Sequence, residues 1–226
     1  MIGVRPNDGL LDRSALSASV TDPDEIVVYS DYVCPFCYLG RESLARYRQS
    51  RDDPLSVDWR PFDLRARERG SDGEIDPAAD DGKDAAYYER ARQNVRRLCE
   101  EYDVEMAQEI ATDVDSLPAQ AASRHVEREH PERWPDFDAA VFEALWVDGR
   151  DIGDADVLAD IAADIGLDPA EIRDAATDED VRADLRAAFR EAQERGITGV
   201  PTFVYGDHAA RGAVPPDHLQ RLVEGT

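Results

Sequence analysis

Lysine is nearly missing from this 226-residue chain: Lys83 is the one lysine, and every other basic side chain is arginine. Positive charge of any kind is in deficit. Fifty acidic residues face 26 basic ones, for a formal net charge of -24. A surface of that sign repels nucleic acid and anionic membranes, which excludes both as expected partners. It keeps the protein soluble while making the compact state repel itself. Salt relieves that repulsion, with a screening length of about 3 Å at 1 M against about 10 Å at 0.1 M. Long apolar runs are lacking too, so no membrane span is expected. The first twenty residues contain no continuous apolar core of the secretory type, and a cytoplasmic protein is the expectation. Cysteine is scarce. Three residues, Cys34, Cys37 and Cys99, are too few to staple a fold, and a close pair in an intracellular chain points to catalysis or metal. Apolar residues are not scarce: at 42 % they allow a substantial core and argue against disorder.

The order of local patterns is informative. Residues 1–23 are polar and read as a loose arm. Residues 25–30 form a short β-branched run, a buried strand. The Cys34-Pro35-Phe36-Cys37 segment follows directly, then a helix to about Gln49. Residues 56–62 alternate with period two and read as a second strand. A Gly-, Asp- and Pro-rich loop covers 70–84, and the pattern is then helical to about 195. Helices are expected near 117–129, 135–147, 154–165, 169–176 and 178–195, with Asp154 and Asp168 as N-caps and Gly149 and Gly166 as stops. Residues 202–205 and 208–213 read as an antiparallel pair around Gly206-Asp207, and Pro215-Pro216 opens a last amphipathic helix. The fold class is α/β: βαβ, an all-helical insertion over 66–189, then ββα, with 24–65 and 190–226 forming one domain.

A C-x-x-C pair serves redox chemistry, zinc ribbons or iron–sulfur clusters, and position separates them. Cys34 ends a strand and begins a helix, where free N–H groups and the helix dipole stabilise a thiolate. Such placement can lower a thiol pKa from about 8.5 to roughly 3.5–7.5. Cys34 is therefore expected to be the exposed nucleophile and Cys37, one turn on, the resolving thiol. Pro35 sits where its missing N–H costs nothing. Zinc needs four ligands. Cys99 and the histidines His125, His130, His208 and His218 offer no second pair, so no metal is expected and the histidines read as surface residues.

The second signal is Gly199-Val200-Pro201-Thr202, a proline at the entry to a strand. Gly199 there permits an unusual backbone. With the strand–CPFC–helix unit upstream, it resembles the cis-proline loop facing the dithiol in thioredoxin-fold proteins. A cis Val200–Pro201 bond exposes backbone of Val200 for pairing with an extended substrate.

The segments YSDYVCPFCYLGRESL, ALWVDGRDIGDADVLADIAADIGLD and GITGVPTFVYGDHAARGAVPPDHLQRLV resemble the DsbA-like family, in its FrnE-type cytoplasmic branch, over about residues 25–225. The resemblance implies a thioredoxin-like domain with a helical insert. It implies catalysis by Cys34 and Cys37, substrate contact at Pro35, Phe36, Val200 and Pro201, and no cofactor or metal. It implies as partners protein or peptide thiols and disulfides, or a low-molecular-weight thiol. One departure stands out: Phe36 occupies a place where strongly oxidising relatives often carry histidine, which predicts a milder oxidant. The acid-rich, lysine-poor composition resembles proteins of salt-accumulating microbes; codon bias in a GC-rich genome is the alternative source of the arginines.

Other readings remain open at this stage. The 2-hydroxychromene-2-carboxylate isomerases and kappa-type glutathione transferases share the helical insert, usually with serine in place of Cys34. A peptide-binding chaperone with silent cysteines is a third. Cys99 reads as a buried, inert thiol. Trp59, Phe62, Trp134, Phe137, Phe142 and Trp146 read as core. Tyr32, Phe36 and Tyr38 suit either the substrate groove or the core roof. Asp31 reads as a solvated acid.

Overall fold

The computed structural model describes residues 25–70, 73–76 and 78–225. The arm expected over 1–23 lies outside them. Strand β1 (Glu25–Ser30) is followed by helix α1 (Pro35–Gln49) and strand β2 (Ser56–Pro61). A single 3-10 turn (Ala66–Glu68) precedes α2 (Ala85–Tyr102). Then come α3 (Leu117–Glu129), α4 (Trp134–Trp146), α5 (Ala155–Asp164), α6 (Pro169–Thr177) and α7 (Glu179–Glu194). Strands β3 (Thr202–Tyr205) and β4 (His208–Arg211) and helix α8 (Pro216–Glu224) end the chain. The sheet order is β2-β1-β3-β4, with β1 parallel to β2 and the other pairs antiparallel. This is a thioredoxin-like α/β fold interrupted by helices.

The pattern of β1 explains its central place. Ile26 and Val28 point to one face, where Leu44 and Tyr47 of α1 and Leu219 of α8 pack against them. Val27 and Tyr29 point to the other, against Phe62, Ala192 and Ile197. A strand covered on both faces must be apolar throughout, and residues 26–29 are. Helix α7 works for both parts of the molecule. Its first turns, Val181 and Leu185, pack with Leu117 and Ala121 of α3, while Ala192 in its last turn covers the sheet. Residue 190 thus falls inside a continuous helix.

The insert is capped by aspartates. Asp154, Asp168 and Asp178 each accept a backbone N–H in the first turn of α5, α6 and α7. Gly149 and Gly166 carry the positive φ that lets the chain turn out of α4 and α5. The insert core gathers Val126, Phe137, Phe142, Leu145, Trp146 and Ile172, and it runs without a break into Tyr32, Val33, Cys34 and Cys37. Trp146, fully buried, donates its indole N–H to the carbonyl of Tyr32 at 2.8 Å. The loop before the cysteines is therefore held by the insert.

Candidate active site

Cys34 is the N-cap of α1, in extended conformation, with Pro35 as the first helical residue and no acid in the first turn. Its carbonyl accepts the N–H groups of Cys37 at 2.9 Å and Tyr38 at 3.3 Å. Its own N–H donates to the carbonyl of Asp31 at 3.2 Å. The Cys34 thiol donates to the carbonyl of Val200 at 3.5 Å, across 166 residues of sequence. The Val200–Pro201 bond is cis. The loop is pinned on both sides: the Thr202 hydroxyl donates to the Gly199 carbonyl at 2.7 Å, and the Gly212 N–H to the Pro201 carbonyl at 2.9 Å. Gly199 itself does not adopt a left-handed backbone, so the freedom expected of it is not used. Gly40 matters instead. A Cβ there would lie 3.2 Å from Pro201 and from Phe203, so its absence lets α1 approach the proline loop.

Both thiols are free, and both are buried, with Cys34 at 3 % and Cys37 at 1 % exposure. The exposure expected of Cys34 is corrected here. It lies in an open groove lined by Val33, Pro35, Phe36 and Val200. Arg65, Lys83, Tyr87, Tyr88 and residues 110–112 complete the lining. Tyr87 and Tyr88 come from the first insert helix, α2, which local sequence around the cysteines does not show. Cys37 sits deeper. Burial, then the adjacent Cys34, push its thiol well above the usual range, so it stays protonated while Cys34 is free. That suits a resolving thiol rather than a first nucleophile.

Asp31 was expected in water and is buried, at 2 % exposure. Its carboxylate accepts the Leu64 N–H at 2.7 Å and the Val33 N–H at 3.3 Å, tying the loop before the cysteines to the end of β2. Burial pushes its pKa up to about 7, against the hydrogen bonds that favour its charged form. The sequence signal was its place three residues before Cys34, at the end of a buried strand.

Tyr32 belongs to the core. Its hydroxyl donates to Asp138 at 2.7 Å and lies 2.8 Å from the Ser123 hydroxyl, which accepts the Trp134 indole N–H at 2.9 Å. Arg41 pairs with the other Asp138 oxygen and stacks over Trp59 and Phe142. Phe62, Phe137, Phe142 and Trp146 are buried, whereas Trp59 and Trp134 are half-buried. Phe36 and Tyr38 both pack, half-buried, on the core beneath the groove, and Phe36 also lines the groove. Cys99 is half-buried beside Met106, with its sulfur 3.4 Å from Sδ, and burial raises its pKa. His208 and His218 are exposed. His125 and His130 are not independent surface groups as expected: both bond to Glu171, 46 and 41 residues away.

Comparison with known proteins gives one concordant result. The uncharacterized protein YwbO of Bacillus subtilis (strain 168) is 29 % identical over 199 residues, covering 88 % of this chain and 94 % of that one. The structure named probable DsbA oxidoreductase SCO1869 from Streptomyces coelicolor superposes with a TM-score of 0.71 at 25 % identity, over 89 % of this chain and 90 % of that one. A 2-hydroxychromene-2-carboxylate isomerase shares the fold, with a TM-score of 0.66 at 20 % identity over 89 % and 93 % of the two chains. Among the described residues no helix is long and apolar enough to cross a membrane. The model of the DSBA-like thioredoxin domain matches residues 25–224, and the chain belongs to that family.

Proposed function

We propose that this chain is a thiol–disulfide oxidoreductase acting on protein or peptide cysteines, with Cys34 as nucleophile and Cys37 as resolving thiol. The observation that carries the reading is the meeting of Cys34, at the start of α1, with the Val200 carbonyl at 3.5 Å. In the oxidising direction a substrate thiolate attacks Cys34 of a Cys34–Cys37 disulfide. A substrate–Cys34 disulfide forms, and Cys37 leaves as a thiolate that takes up a proton. A second substrate thiolate then attacks the substrate sulfur of that bond and releases Cys34. Two substrate thiols are oxidised and one pair is reduced. The reducing direction is the reverse. Pro35 and Phe36 on one side, and Val200 and Pro201 on the other, would hold the substrate backbone. No cofactor is needed for these steps, and cytoplasmic thiols would be the partners.

The test is exchange with a disulfide-bonded peptide in buffer of high salt. The native protein is expected to accelerate exchange far above the peptide and small thiol alone. Equal rates with and without the protein would end the reading.

A second reading has one feature in its favour. Cys34 lies almost covered at the bottom of a groove walled by Tyr87 and Tyr88, a shape suited to a small thiol or aromatic molecule. An isomerase or kappa-type glutathione transferase of this kind needs no resolving thiol. Activity on a small aromatic substrate that survives Cys37→Ser would select it.

A further inference from the structure

We propose that His125, His130 and Glu171 form a binding site for a divalent transition-metal ion, for which zinc is the probe. The site is separate from the cysteines and does not depend on the reaction assigned to them. His125 lies on α3, and His130 is the residue that ends it. Five residues apart on a continuing helix, the two rings would lie about 140° apart around the axis. The backbone of His130 leaves the helix instead, at φ -133° and ψ 55°, and the ring centroids come to 6.4 Å. Glu171 enters from the first turn of α6, set by the Asp168 cap and Pro169. One of its carboxylate oxygens meets both imidazoles, at 2.6 Å from His125 Nε2 and 2.9 Å from His130 Nε2.

The donor set and its spacing fit a metal. Two imidazole nitrogens and one carboxylate oxygen are ligands for zinc and for neighbouring first-row ions. All three ligand atoms lie within 4.8 Å of one another. Tetrahedral zinc at its usual bond lengths sets its ligand atoms about 3.3 Å apart. The two nitrogen–oxygen contacts need to open by well under an ångström, and each imidazole must carry its proton on Nδ1. The surroundings favour it. A carboxylate is stabilised at the N-terminal turn of α6, and a cation at the C-terminal carbonyls of α3. The protein as a whole, at a net charge of -24, attracts cations. Side-chain exposures of 23 %, 33 % and 33 % leave a fourth position open to water. A bound ion would clasp α3 to α6 at the edge of the insert.

The experiment is calorimetric titration of the full chain with zinc. A Cys34→Ser/Cys37→Ser background keeps the thiols from competing. One equivalent of zinc is expected to bind and to raise the unfolding midpoint. His125→Gln and His130→Gln are each expected to weaken binding by at least about tenfold. Cobalt in place of zinc is expected to give a visible spectrum without a thiolate charge-transfer band, which separates this site from Cys99. Both variants replace partly exposed side chains, and circular dichroism checks that each is folded; should one misfold, Glu171→Gln is read in its place. Absence of saturable binding overturns the proposal. So does undiminished affinity in the double His125→Gln/His130→Gln variant.

Discussion

A Cys37→Ser protein, mixed with a disulfide-bonded peptide, is expected to accumulate a covalent adduct through Cys34 that the native protein does not retain. The native protein is expected to resolve the adduct through Cys37, which lies one helical turn along from Cys34 and is fully buried. Serine removes the resolving thiol but keeps the packing volume nearly unchanged. Cys34→Ser is expected to give no adduct at all and to reduce exchange to background. The reason lies in position: Cys34 lines the groove and Cys37 does not, and burial with its neighbour keeps the Cys37 thiol protonated until Cys34 is engaged. Mass spectrometry of the alkylated mixtures reads the result directly. An adduct on Cys37 in the Cys34→Ser protein would reverse the two roles. An adduct on Cys99 in the native protein would reassign the half-buried thiol beside Met106, whose raised pKa argues against reactivity.

The second large effect belongs to Asp31. Its carboxyl in the folded protein titrates at about 7, against an ordinary value of 3.8. Between those values the folded chain binds more protons than the unfolded one, so this group's contribution to stability falls as pH rises and levels off above about 7. The full penalty is at most about 4 kcal/mol, and the part falling between pH 5 and 8 is roughly 2–3 kcal/mol. Asp31→Asn removes the titration while nearly preserving shape. Its amide leaves one of the Val33 and Leu64 N–H groups without an acceptor, a pH-independent cost of about 1–3 kcal/mol. Denaturant unfolding of both proteins at pH 5 and pH 8 is the measurement. The variant is expected to gain on the native protein as pH rises, whatever their order at pH 5. A difference that stays constant over that interval would show that Asp31 is already ionised at pH 5. The many surface carboxylates are common to both proteins and drop out of the comparison.

Much of this architecture was legible because local patterns carry it. The apolar run at 26–29, the aspartate caps, and the CPFC segment between strand and helix each state their own secondary structure within a few residues. The order βαβ, helices, ββα then leaves few ways to close the sheet. Helix α1 begins at Pro35 with Cys34 as its N-cap, where the strand–CPFC order puts its start.

The site was legible only in its covalent neighbourhood. Nothing near Cys34 announces that Tyr87 and Tyr88 wall its groove, since that contact depends on how α2 docks. Asp31 looked like a solvated acid because aspartate usually is one. Its partners come from the return of the chain at Leu64 and from Ser116 at the start of α3, far along the sequence. His125 and His130 looked unrelated because a five-residue spacing does not align on a helix. The helix end at His130 and the arrival of Glu171 from α6 bring them together. In each case the missing information is a long-range contact, which no local periodicity encodes.

The central claim is that Cys34 and Cys37 form one reversible redox pair. Equilibration of the purified protein with graded ratios of reduced and oxidised glutathione in high salt, followed by alkylation and thiol counting, tests it most directly. The account predicts a single reversible transition of two thiols, absent in Cys34→Ser. With Phe36 in the second place of the motif, the midpoint is expected to lie below the roughly -120 mV of the strongest oxidants of this fold. Thiol counts that stay constant across every ratio would contradict the account and leave the single-thiol enzyme in its place.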